Sequence, residues 1–152
     1  MRIILALALL GLLTACAGPP KPRMFPPSAS VQELRVLDDG RWEVALRIQN
    51  QARLNIRVAE AALTLYVDGH EAGRIELSVD RAIPSTSAER VPAIISPAAR
   101  AADAVNLALS EGRSISYRLQ GRLRSSEPER RDDPLSFDSR LNPAPGLPGV
   151  LR

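Results

Sequence analysis

The side chains able to do chemistry are few and scattered. His70 is the only histidine and Cys16 the only cysteine in 152 residues. His70 follows Asp68-Gly69, a turn dipeptide, and a general base there would need a nucleophile and an orienting group brought from elsewhere. Its structural reading is a solvated turn residue. Asp38-Asp39 and Asp132-Asp133 are paired acids, the donors a hard cation takes, yet neither pair has the ligand spacing of a calcium loop. One histidine and one cysteine supply no zinc set. No glycine-rich phosphate loop occurs, and Gly40, Gly69 and Gly112 each fall where a turn or a helix end needs one. The residues therefore point away from an enzyme, with no metal and no other cofactor expected.

Cys16 has a different context. Arg2 precedes an almost unbroken apolar run from Ile3 to Leu13, closed by Leu13-Thr14-Ala15-Cys16. A secretory apolar region is roughly 7–15 residues, and a spanning helix needs about 20. Pro19, Pro20 and Pro22 prevent a longer helix. The tetrapeptide resembles the bacterial lipobox, in which a diacylglyceryl group alkylates the thiol and the chain is cut between Ala15 and Cys16. Small residues before the cysteine let an extended backbone enter the peptidase. The alternative is an ordinary secretory signal with an incidental cysteine. A single cysteine excludes an intramolecular disulfide, and lipidation removes a thiol that an oxidising periplasm would attack. Two or more acyl chains anchor stably. Ala17 stands where aspartate signals retention in the inner membrane, so the expected address is the periplasmic side of the outer membrane.

This divides the chain into a signal peptide (1–15), a lipidated cysteine with a proline-rich tether (16–30), one domain (31–141) and a Pro/Gly-rich tail (142–152) whose apolar residues either dock on the domain or recognise a partner. The domain is long enough for one real core. Aromatic residues make up only 3%, so Leu, Ile, Val and Ala must fill it. The net charge of +3 rests on arginine, Lys21 being the only lysine. Along the predicted strands these arginines alternate with Glu and Asp, which together with export argues against nucleic acid as a partner. Anionic lipid headgroups are the partner such a surface would suit, against the plainer reading of a solvated face.

Alternation defines the elements. Val31–Asp38 and Arg41–Asn50 flank Asp39-Gly40, a hairpin signal, and Trp42, Val44, Leu46 and Ile48 share one face. Ile56 and Val58 alternate, then Leu63, Leu65 and Val67 do so in the opposite phase, which predicts a bulge or a change of sheet across Ala59 to Ala62. Asp68-Gly69 turns into Ile75, Leu77 and Val79, and a further strand covers Glu89 to Ile95. Ser96-Pro97 reads as a helix start, with Ser96 the N-cap, and Gly112 as its end. Ala101, Ala102, Val105, Ala108 and Leu109 lie on one helical face. Tyr117, Leu119, Gly121 and Leu123 then alternate, followed by a charged loop from Glu127 to Pro134 and a last strand through Leu135, Phe137 and Leu141. About seven strands with one late helix predict a mainly β fold, an antiparallel sandwich of the immunoglobulin or fibronectin-III kind.

Three features carry a family likeness: a strand ending in Asn50, the stretch Leu63 to Gly73 through Val67-Asp68-Gly69, and the pattern Tyr117-x-Leu119-x-Gly121-x-Leu123. Together they resemble the late-embryogenesis-abundant type 2 domain, also called the water stress and hypersensitive response domain, over about residues 31–141. Gln51 replaces the proline of the family's Asn-Pro-Asn, and its second asparagine appears only as Asn55. The resemblance implies a non-enzymatic role in desiccation or osmotic stress tolerance, here in the cell envelope. The alternative is a binding or assembly accessory that recognises a lipid, peptide or envelope protein. Asn50 and Asn55, with the arginine row Arg118, Arg122 and Arg124, are the candidate binding residues. The cysteine reading is directly testable. Cys16→Ser should abolish incorporation of labelled palmitate and leave the precursor uncut, whereas a labelled, processed variant would refute it.

Overall fold

The structure, a computed structural model, is described for residues 24–152. The signal peptide, Ala15, Cys16 and the first part of the tether lie outside the described residues.

Two hairpins begin the domain. β1 (Ser28–Val36) and β2 (Trp42–Gln49) pair antiparallel, and Gly40 at φ 82° closes the turn between them. Asp39 braces that turn by accepting from the Arg41 amide at 3.0 Å and from its Nε at 2.7 Å. β3 (Ile56–Val67) and β4 (His70–Ile83) meet at Asp68 and Gly69, both left-handed at φ 49° and 78°. Two successive left-handed residues match the twist of the flanking strands. β5 (Ala88–Ile95) returns to the first sheet, α1 (Ala99–Glu111) follows, and β6 (Ile115–Glu127), β7 (Arg131–Leu141) and β8 (Val150–Leu151) complete the chain.

The strands form two four-stranded antiparallel sheets, ordered β5-β2-β1-β8 and β4-β3-β6-β7. Their inner faces build an aliphatic core around Trp42, with Leu34, Leu46 and Ile48 from one sheet meeting Leu65, Ile75, Leu119 and Leu123 from the other. Among the described residues this fully buried core is drawn from Ala29 to Leu151. The mainly β sandwich with one late helix is thus as the alternation predicts.

The phase change in β3 is a bulge. The register slips between Val58 and Glu60 against both β4 and β6, so Ile56 and Val58, then Ala61, Leu63 and Leu65, all face the core within one unbroken strand. Three boundaries differ from expectation, each for a local reason. β1 begins at Ser28 because Ser28, Ala29 and Ser30 pair with Gln49, Ile48 and Arg47. The segment expected as a charged loop is mostly strand, with Asp132, Asp133 and Pro134 in register with β6. β7 is an edge, where a proline costs no ladder bond. The helix is capped by Ala98, without a side-chain bond, rather than by Ser96. Ala98 stays extended while its amide donates to Ala72 O at 2.9 Å, tying the approach to β4. The tail docks: Leu151 and Val150 pair with Leu34 and Arg35 of β1.

Gly121 explains one part of the sequence pattern. It lies opposite Leu63 at φ 152°, and a Cβ there would stand 2.1 Å from the Ala62 carbonyl oxygen. β6 can approach β3 this closely only without a side chain. Gly121→Ala should therefore destabilise the domain by about 3 kcal/mol or more in urea unfolding, and an unchanged midpoint would show that the strands can part at no cost.

Candidate functional site

Asn50 lies at the end of β2 and is completely buried. Its side-chain amide donates to the carbonyls of Leu54 at 2.8 Å, Ile83 at 3.1 Å and Pro84 at 3.0 Å, while its Oδ1 accepts from the Ala52 amide at 2.9 Å. Its own backbone amide donates to Ser87 O at 2.8 Å. One residue thus joins the first sheet to the β4 end of the second and closes the loop between β2 and β3. Asn55 Oδ1 accepts from the Ser85 amide at 3.0 Å on the same rim. Both asparagines spend these polar atoms on the fold, and Asn50 presents none to solvent.

The arginine row lies on the outer face of the second sheet, and acids flank it on both sides. Arg118 meets Asp138 at 2.6 Å, Arg122 meets Asp132 at 2.7 Å and Arg124 meets Glu60 at 2.8 Å. Cross-strand register makes the pairing systematic, since Arg118 stands opposite Asp138 and Arg124 opposite both Asp132 and Glu60. Asp132 holds the Arg122 guanidinium above its ordinary pKa by hydrogen bond and charge. Such solvent-exposed pairs add little to stability. Their larger effect is to neutralise the row. Arg113 is likewise paired, with Glu111 at 2.6 Å.

The first sheet carries a cluster that the sequence does not announce. The β1–β2 register slips between Val31 and Glu33, which turns Glu33 to the outer face beside Ala45. The Glu33 side chain is only 10% exposed, and three guanidiniums share it: Arg152 at 2.8 Å, Arg35 at 3.2 Å and Arg90 at 3.5 Å. The Arg152 hydrogen bond, joined by Arg35, outweighs burial and holds the carboxyl below the ordinary glutamate value. The only signal in the sequence is the broken alternation at Val31-Gln32-Glu33-Leu34. At the same slip, the Val31 amide donates to the Tyr117 hydroxyl at 3.1 Å, a bond across the sandwich from β6. Burial raises the Tyr117 pKa, so the phenol stays protonated.

His70 opens β4 and is exposed. Asp38 is exposed on the turn, while Asp133 is buried and takes the Arg131 fork at 2.8 and 3.2 Å. No group of metal-ligating side chains occurs among the described residues. An open groove of about 590 Å³ runs between α1 and the docked tail, lined by Asn106, Leu109, Pro143 and Leu147 among others. No helix among the described residues is long and apolar enough to cross a membrane.

No family profile and no curated protein matches the chain. Two solved structures share its architecture. The solution structure of an Arabidopsis thaliana protein superposes with a TM-score of 0.52 at 15% identity, covering 82% of this chain and 83% of that one. The solution structure of a candidate late embryogenesis abundant (LEA) protein does so with a TM-score of 0.50 at 15% identity, covering 95% and 86%. The fold is LEA-like. At this identity the likeness concerns the fold alone.

Asn50 and the arginine row can be told apart by stability. Asn50→Ala strands three carbonyls and an amide at a buried junction, and should cost about 3 kcal/mol. Arg118→Ala should cost less than about 1 kcal/mol. Equal losses in thermal or urea unfolding would contradict this division.

Proposed function

We propose that the chain is a non-enzymatic envelope lipoprotein, anchored through Cys16 on the periplasmic side of the outer membrane, whose LEA type 2-like domain serves desiccation or osmotic stress tolerance. The observation that carries the reading is a LEA-like sandwich whose second sheet presents a continuous ion-paired surface to solvent. A surface of paired charges on a rigid core stays hydrated and keeps its shape when water is scarce. It can make weak, repeated contacts with neighbouring proteins or lipids without unfolding. Disordered protectants lack the apolar content for such a core; this chain has it.

A second reading is supported by the groove beside α1. Leu147, which lines it beside Leu109 and Pro143, is 42% exposed, and apolar residues there suit a peptide or an envelope protein, as in a binding or assembly accessory. One pair of measurements separates the readings. The domain freed of signal and lipid should preserve the activity of a labile enzyme through drying better than an inert protein of equal mass. Photocrosslinking from Leu147 in cells should then give diffuse labelling. A single dominant adduct, with no protection on drying, would favour the accessory and sink the protective role.

A further inference from the structure

The two outer faces of the sandwich differ in charge. On the second sheet each arginine of the β6 row has an acid within ion-pair distance. On the first sheet the outward positions carry Arg35, Arg47 and Arg90, with Arg152 beside them, against only Glu33 and Glu43. One of those glutamates is already shared by three guanidiniums. Arg47 and Arg90 stand directly opposite each other on β2 and β5, a like-charge register that destabilises a sheet. Among the described residues Arg47 has no ion-pair partner and donates only to Gln49 Oε1, at 2.7 Å. Arg90 is 52% exposed and reaches Glu33 only at 3.5 Å. Ile94, on the same face, is 51% exposed. Ile94 stands opposite Glu43, four residues along β5 from the Arg47–Arg90 pair, and a face with guanidiniums at one end and an uncovered aliphatic side chain at the other suits a surface that is anionic at its rim and apolar beneath.

The position of the tether selects that surface. Arg47 pairs with Ser30, two residues from the start of β1, so the end of β1 from which the chain leads back toward Cys16 lies next to Arg47. Eight residues, Cys16 to Arg23, precede the described chain and reach at most about 29 Å. That is ample for the first sheet to lie against the bilayer that holds the lipid. Phe25, 50% exposed just before β1, adds an aromatic side chain of the kind that settles at a headgroup boundary.

We propose that the outer face of the first sheet docks on anionic phospholipid, with Arg47 and Arg90 taking headgroup phosphates. The anchored domain then lies on its membrane with the ion-paired second sheet turned outward. This deepens the anchored reading above and rests on it for orientation, but the binding itself is testable without the lipid. A chain beginning at Ala17 contains the complete described core. It should sediment with vesicles of phosphatidylcholine plus phosphatidylglycerol, remain free of phosphatidylcholine alone, and be released by salt. Arg47→Ser with Arg90→Ser should lower partitioning about thirtyfold. Arg118→Ser with Arg122→Ser removes the same charge from the other face and should lower it about threefold at most. Equal losses in the two double variants, binding to the neutral vesicles, or no binding to the anionic ones would overturn the proposal. Palmitate labelling judges the anchor separately: vesicle binding together with no label on Cys16 would fault the anchor alone.

Discussion

Asn50 is where the two sheets are locked to each other. Most of what holds a sandwich together is dispersion between apolar side chains, which is strong in sum but weakly directional. Sheets bound only in this way can slide. The Asn50 amide removes that freedom by taking carbonyls from the β2–β3 loop and from the end of β4, with its own oxygen satisfied by Ala52. Because the Asn50 side chain and its bonds to Ile83 and Ala52 are buried, breaking the arrangement leaves several groups unmet at once. The Tyr117 hydroxyl adds a second fixed point at Val31. Between these two polar contacts the aliphatic core needs only the right volume.

With the sheets fixed, the outside of the molecule divides into surfaces of different character. Along β3, β6 and β7 the acids and arginines alternate in register, so charge is cancelled locally and little field extends outward. The first sheet instead concentrates guanidiniums on one carboxylate. Its edges are blunted as well. Pro92 interrupts β5 and Pro134 interrupts β7, each on an outer strand, where a missing amide hinders pairing with another chain.

Much of the fold was legible because its physics is local. Both Asp-Gly turns, the alternation of Trp42 to Ile48 and the glycine end of the helix each follow from a few adjacent residues. Even the bulge in β3 announced itself as a phase change. What escaped was set by pairing across the chain. Asp132 to Pro134 looked like a loop until β6 supplied its partners, and Ser28 to Ser30 looked like tether until β2 did. The candidate residues divided the same way. Asn50 was noticed from its place at a strand end, but its role depends on Ile83 and Pro84, more than thirty residues away. Glu33 was invisible as a focus because its arginines come from β1, β5 and the last residue of the chain.

The docking of β8 on β1 has a consequence for how this molecule is made. The Glu33–Arg152 bond closes a loop of 119 residues, so the first strand waits for the last. A chain emerging amino-terminus first can zip its local hairpins early, yet the outer flank of β1 is covered only when Val150 and Leu151 arrive. Non-local closure of this kind is slow. Were the chain exported as proposed above, its sandwich would be sealed only once the carboxy-terminal strand had left the channel.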